Sequence, residues 1–192
     1  VDGHLVRALA GEPGLLAMRQ AAEEGGELGA NVVRAAFGNE PWVVSSDVVR
    51  EDAAGDMWFV DARSGFVPTQ GGAVSLRAVE DALYALPEIE LACAFVAEGP
   101  NGDRLVHAAF VTRLDVTASR LDAAISRLEA HARPRCVVRL DHMPLTDGYR
   151  PKRRAVALDA AQATGARVFR LAEGRYTILD PTPSRVDLAP PT

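Results

Sequence analysis

Lysine is almost missing from this chain. Lys152 is the only one among 192 residues, and the remaining basic side chains are arginines. Alanine is abundant, and the two biases together are what high-GC coding produces, so an arginine in place of a lysine carries little meaning by itself. Cysteine is scarce as well. Cys93 and Cys136 each sit in an apolar, β-rich run, which suits buried free thiols in a reducing cytoplasm better than a disulfide framework. The four histidines, His4, His107, His131 and His142, are scattered without any zinc-type spacing, which argues against a metal site. Positive charge is not in excess: the net charge is -5, the wrong sign for general nucleic-acid binding. No apolar run approaches the ~20 residues of a membrane span, and no signal-peptide pattern occurs. The first residues, "VDGHLVRALAGEPGLL", read as the middle of a fold, so the chain is expected to be a fragment.

What is present is a soluble, globular composition, 48% hydrophobic and 24% charged, long enough for one ordinary domain or parts of two. The first 60 residues read as β-rich. "HLVRAL" and "GLLAMRQ" flank the turn "AGEPG", and "WVVSSDVV" and "DMWFVD" read as strands around "EDAAG". Trp58 and Phe59 lie within the second of these strands, and their alternation suggests core positions. "NVVRAAF" fits a helical segment or a strand equally well.

Signals sharpen further on. Ser75 caps a helix reaching about Leu86, with Val79, Leu83 and Leu86 on one face and Pro87 as its stop. "IELACAFVAEG" and "RLVHAAFVTRL" are strands joined by "PNGD", whose Asn-Gly favours a tight hairpin. Residues 118–132 carry Leu121, Ile125 and Leu128 on one helical face. "CVVRLD" is a further strand, and "VFRLAEGRYTILD" is a closing hairpin before a Pro-rich tail expected to be disordered past Asp187. The order from about Asp61 is hairpin, helix, strand, strand, helix, strand, which gives a small α+β domain.

The densest chemistry lies in "MPLTDGYRPKRR", residues 143–154, with four basic side chains beside a Gly and a Tyr. Such a cluster faces either an anion or water.

Taken in order, these stretches resemble the C-terminal part of the adenylate-forming acyl-CoA synthetases, most closely the very-long-chain acyl-CoA synthetase and fatty-acid transport protein branch. "GEPGLL" is similar to that branch's Gly-Glu-x-Gly-Leu-Leu strand. "VVRAAFGNEPWVVSSDVV" is similar to the segment leading into Trp-Phe-x-Thr-Gly-Asp-Leu. "GDMWFVDARSGFVPTQGGAVSLRAVEDAL" runs without gaps through the hinge motif Asp-Arg-x-Gly-Asp and Lys-Gly-Glu-Asn to the Glu-Val-Glu helix. "PLTDGYRPKRR" stands where the branch has Thr-Gly-Thr-Phe-Lys, and "VFRLAEGRYTILD" fits its tail.

The resemblance implies an α+β arrangement in three parts. Residues 1–60 would be the β-rich end of the large adenylate-forming domain, 61–65 a hinge, and 66–192 a small mobile C-terminal domain of mixed α/β structure. It implies a fatty-acid–CoA ligase, which activates a carboxylate with ATP to acyl-AMP and then forms the thioester with coenzyme A. ATP, CoA and Mg2+ are the implied cofactors, none held by this fragment alone. The implied partners are the missing large domain and a fatty acid. The implied location is cytoplasmic, with peripheral contact at the inner face of the membrane left open.

Site roles carry over position by position. Asp47 matches the aspartate that grips the ribose hydroxyls. Arg150 takes the place of the lysine that neutralises developing charge at the α-phosphate, with Lys152 its rival if the loop bulges by two residues. Arginine is longer, planar and forked, so the exchange is not a clean one. Arg153 and Arg154 are expected to be solvated or to meet acidic groups of the large domain, and Tyr149 to pack the loop. Gly71 and Gly72 would let backbone approach the pantetheine of CoA. Asp61, Ala62 and Gly65 form the hinge, expected to be solvent-accessible.

The chain also departs from the pattern. Ala62 replaces the arginine that reaches the nucleotide, Gly65 replaces the hinge aspartate, and Gln70, Gly72 and Ala73 replace the Lys, Glu and Asn of Lys-Gly-Glu-Asn. These exchanges keep a second reading in play, a non-catalytic or repurposed homologue binding an acyl chain, a nucleotide or a protein partner.

Overall fold

A computed structural model describes residues 8–19, 32–34, 41–99 and 102–179, with 32–34 and 41 described by their backbone only. The chain divides into two compact units, Val1–Gly65 and Phe66–Thr192. "HLVRAL", most of "NVVRAAF", the Pro-Asn of the "PNGD" turn and the Pro-rich tail fall wholly or partly outside the described residues.

The first unit is an antiparallel sheet built on one long strand. Strands β1 (Gly14–Arg19) and β2 (Val32–Arg34) both pair with β3 (Pro41–Glu51), as does β4 (Met57–Ala62). The β3–β4 turn is organised by one carboxylate. Asp52 accepts the Ala54 and Asp56 amides at 2.9 and 3.0 Å and the Trp58 indole N–H at 2.8 Å. These bonds, the indole foremost, hold the Asp52 carboxyl below its ordinary pKa. They also turn Trp58 outward. Trp58 is 57% and Phe59 52% exposed, and Met57 is exposed beside them, so the expected core positions are corrected to surface ones within this chain.

The second unit opens with a hairpin, β5 (Phe66–Thr69) and β6 (Gly72–Ser75), followed by helix α1 (Leu76–Tyr84). Ser75 is the N-cap, its side chain accepting the Ala78 amide at 3.2 Å. Then come β7 (Leu91–Glu98), β8 (Arg104–Val111), α2 (Ala118–Ile125), β9 (Cys136–Leu140), α3 (Arg153–Gln162), β10 (Val168–Ala172) and β11 (Arg175–Leu179). Five strands form one sheet in the order β11-β10-β9-β8-β7, with β8 and β9 parallel and the other pairs antiparallel.

Alternation along the strands sorts the core into two layers. Ala92, Ala94, Ala108, Phe110, Val137 and Phe169 face the layer of Val79 and Leu83 from α1 and Leu121 and Ile125 from α2. Cys93, Phe95, Ala109, Cys136, Val138 and Val168 face Val156, Ala157 and Ala160 of α3. Both cysteines are therefore buried and unpaired. Burial pushes the Cys93 thiol up to about 12 and raises Cys136 as well, so neither is poised to react.

Two helices differ from the sequence reading. The second is shorter than 118–132, because Arg133 donates to the Leu128 and Ser126 carbonyls at 3.2 Å each, and a 3-10 turn follows at Ala130–Ala132. Arg133 thereby takes the Ser126 carbonyl that a continuing helix would have used. The third helix, α3, was not anticipated. Its first residues look like a plain basic run, and it buries only Val156, Ala157 and Ala160. Among the described residues, no helix is long and apolar enough to cross a membrane.

Candidate functional site

The basic loop closes on itself before it enters α3. The Lys152 amide donates to the Pro144 carbonyl at 2.9 Å, the Thr146 amide to the Arg150 carbonyl at 2.9 Å, and the Tyr149 amide to the Thr146 carbonyl at 2.9 Å. The Arg150 amide donates to the Thr146 hydroxyl at 3.1 Å, and Leu145 and Pro151 pair as an isolated bridge. Buried Met143 anchors the start of the segment. Its backbone is thus well determined although its tip is exposed.

The side chains on this frame separate sharply. Arg150, Lys152 and Arg154 are exposed and make no side-chain hydrogen bond or ion pair among the described residues. Arg153 behaves differently. Its guanidinium lies 3.3 Å from the Glu80 carboxylate of α1, a correction to the expectation that it is solvated or meets another domain. Tyr149 is also corrected. It is 83% exposed with φ of 57°, so the ring packs nothing and the residue serves the turn through its left-handed backbone.

Asp47 lies exposed near the middle of β3, its amide held by the Ser45 hydroxyl at 3.0 Å. The β3–β4 register sets Ala62 opposite Asp47 and Asp61 opposite Val48. The carboxylate therefore has a methyl group across the strand where the resemblance leads one to expect a guanidinium. Within 61–65, the exposed residues are Arg63 and Ser64. Asp61 is only 6% exposed, and Gly65 is buried. This corrects the reading of the whole stretch as solvent-accessible. A Cβ on Gly65 would run into the Asp61 carboxylate, so any larger residue here requires that carboxylate to move.

Gly71 and Gly72 form the tip of the β5–β6 hairpin, closed by the Thr69 hydroxyl donating to the Gly72 carbonyl at 2.7 Å. Beneath the tip is His131, whose Nδ1 lies 3.3 Å from the Glu129 carboxylate. A Cβ at Gly71 would collide with the Cβ of His131 and stand 2.9 Å from its Cγ; Gly72 has φ of +133°. Gly71 thus has a packing reason to be glycine, and Gly72 a backbone one. Gly71→Ala should destabilise the second unit by about 1–3 kcal/mol, the usual cost of overpacking, read from the urea midpoint. His131→Gly should recover part of that loss, because it removes the Cβ in the way. Gln70, adjacent to the tip, donates to Asp103 at 2.6 Å, so the residue in the place of the family's lysine is engaged within this unit.

Sequence reasoning missed Glu80 and His131. Both meet their partners across long separations, Glu80 to Arg153 and His131 to Gly71, and neither stretch carries a local signal of such a contact.

No family model matches the chain. Among curated proteins it is 26% identical over 137 residues to the medium/long-chain-fatty-acid–CoA ligase FadD8 of Mycobacterium tuberculosis, covering 66% of this chain and 24% of that protein. It is 35% identical over 123 residues to the phenyloxazoline synthase MbtB of the same organism, covering 63% of this chain and 9% of that protein. Among solved structures, o-succinylbenzoate CoA synthetase from Bacillus subtilis, in complex with its acyl-adenylate intermediate, superposes with a TM-score of 0.61 at 21% identity, over 77% of this chain and 31% of that one. The fold is that of the C-terminal part of adenylate-forming enzymes. The chain spans a quarter or less of these two curated relatives. Since they include both a fatty-acid ligase and a phenyloxazoline synthase, they do not single out the very-long-chain branch. Among the described residues, the self-closed basic loop carries Arg150, Lys152 and Arg154 as exposed cations, and β3 carries Asp47 exposed.

Proposed function

We propose that this chain is the C-terminal part of an ATP-dependent fatty-acid–CoA ligase. The observation that carries the reading is the loop at 144–152, a closed backbone frame from which Arg150 and Lys152 project as exposed cations without partners among the described residues. In the proposed reaction a carboxylate oxygen attacks the α-phosphorus of ATP and pyrophosphate leaves. The CoA thiol then loses its proton and attacks the acyl carbon, and AMP departs. Asp47, exposed on β3, suits the two ribose hydroxyls as an acceptor. Arg150 suits the negative charge that grows on the α-phosphate oxygens. Among the described residues no group of three or more His, Cys, Asp or Glu gathers that could hold a metal ion.

The second reading, a non-catalytic homologue, draws on the pairing of Asp47 with Ala62 and on the Gln70–Asp103 bond. ATP–pyrophosphate exchange separates the two. The longer protein, with its large domain ahead of this chain, should exchange pyrophosphate when given long-chain fatty acids and less when given amino or aryl acids. The 192-residue chain alone should show none, because it cannot position both reactants. Exchange by the short chain would overturn the assignment. Absence of exchange by the long protein with every acid tried would favour the non-catalytic reading.

A further inference from the structure

Strand β7 is the open edge of the five-stranded sheet, and its outward amides would be unpaired without help. Two side chains one turn apart on α1 supply it. The Tyr84 hydroxyl accepts the Ala92 amide at 3.0 Å, and Glu80 Oε1 accepts the Ala94 amide at 3.0 Å. The same Glu80 oxygen lies 3.3 Å from the Arg153 guanidinium. Arg153 is the first residue of α3, and α3 packs on the sheet face opposite to α1. One carboxylate therefore joins a helix on each face to the edge strand between them, and it does so at the point where the basic loop ends.

We propose that Glu80 and Arg153 form a clamp that positions the Arg150 loop, so that both act as positioning residues for adenylation. This rests on the reading of Arg150 given above. The geometry explains why Arg153 alone among the four cations is tied down. Fixing the first residue of α3 fixes Lys152, whose amide closes the loop on Pro144. Glu80 is the less exposed partner, and the hydrogen bond it accepts from the Ala94 amide of β7 holds its carboxylate in place, so little ordering remains to be done when the pair forms.

The test uses the longer protein and two readouts. Arg153→Gln should lower the adenylation rate at saturating ATP by about tenfold, the scale of a modest misplacement of a reacting group, and Arg153→Lys should retain most of the rate. In an Arg150→Ala background, Arg153→Gln should cause no further loss, because what it positions is already gone. Equal losses in both backgrounds, or none in either while Arg150→Ala is itself damaging, would overturn the clamp. The second readout does not depend on catalysis. Hydrogen exchange at the amides of Thr146, Tyr149, Arg150 and Lys152 should speed up in Arg153→Gln and Glu80→Gln but not in Arg154→Gln. If Arg150→Ala leaves adenylation untouched, the reading of Arg150 fails. Unchanged amide exchange would then sink the clamp separately, and faster exchange would leave it standing as a structural latch.

Discussion

On the proposed reading, Arg150→Ala in the longer protein should lower the rate of acyl-adenylate formation by about 10²-fold or more, the usual scale for losing one preorganised contact to developing charge. Lys152→Ala should change it little. The structural reason for this ranking is the frame that carries them. Arg150 sits inside the closed turn, its amide and carbonyl both bonded to Thr146, so its side chain leaves from a fixed point. Lys152 sits at the start of α3, in the N-cap position, and makes no side-chain cap bond. An exposed ammonium on four flexible carbons contributes little until something orders it. Pyrophosphate exchange under saturating ATP measures both variants. If the ranking reverses, Lys152 carries the charge. If neither variant changes a measurable rate, the basic cluster is a solvated face.

Much of the second unit could be read from local pattern. Ser75 as a cap, the alternation that separates Ala94 from Phe95, and the apolar face of Val79 and Leu83 each depend on neighbours within a few residues, so the chain itself states them. The expectations that failed depend on partners far away in sequence or on the absence of a neighbour. Trp58 and Phe59 have strand periodicity, but periodicity says which residues share a face, not whether that face is covered. Tyr149 looked like a packing residue because it is aromatic; its positive φ follows from the turn that Thr146 closes. Helix α3 escaped notice because no side chain caps its start, and its buried face is mostly alanine, which gives high helix propensity but a faint hydrophobic stripe.

The candidate site divides in the same way. Asp47 and Arg150 could be singled out because they lie in runs that resemble segments of a known family, Asp47 in "VVRAAFGNEPWVVSSDVV" and Arg150 in "PLTDGYRPKRR". The physical surroundings of the glycines were not legible. Gly65 touches the Asp61 carboxylate and Gly71 the imidazole beneath it, and neither contact leaves a mark in the local sequence. Gly65 departs from the motif and Gly71 retains it, yet each glycine stands against a specific neighbour.

His107 sets up the largest expected effect on stability. It is 2% exposed on β8, paired in register with Phe95 and stacked on that ring at 6.0 Å. Neither ring nitrogen has a hydrogen-bond partner among the described residues. Burial foremost, with the Arg135 guanidinium adding to it, lowers its pKa to about 4. In the unfolded chain a histidine titrates near 6.5, so between about pH 6.5 and 4 the unfolded state binds the extra proton and folding grows weaker as pH falls. The contribution is fully present above pH 6.5. By pH 4.5 about 2.5 kcal/mol of it should be gone, at roughly 1.4 kcal/mol for each unit of separation between the two pKa values. Asp52 and Glu88, both held below their ordinary values, also lose stabilising charge on acidification, but at lower pH and equally in any His107 variant. His107→Leu keeps the site apolar, removes two unpaired buried nitrogens and removes the titration. The variant should therefore lose markedly less stability than the wild-type chain between pH 7.5 and 4.5 in urea unfolding. Parallel losses in the two proteins would mean that His107 takes up no proton on unfolding in this range.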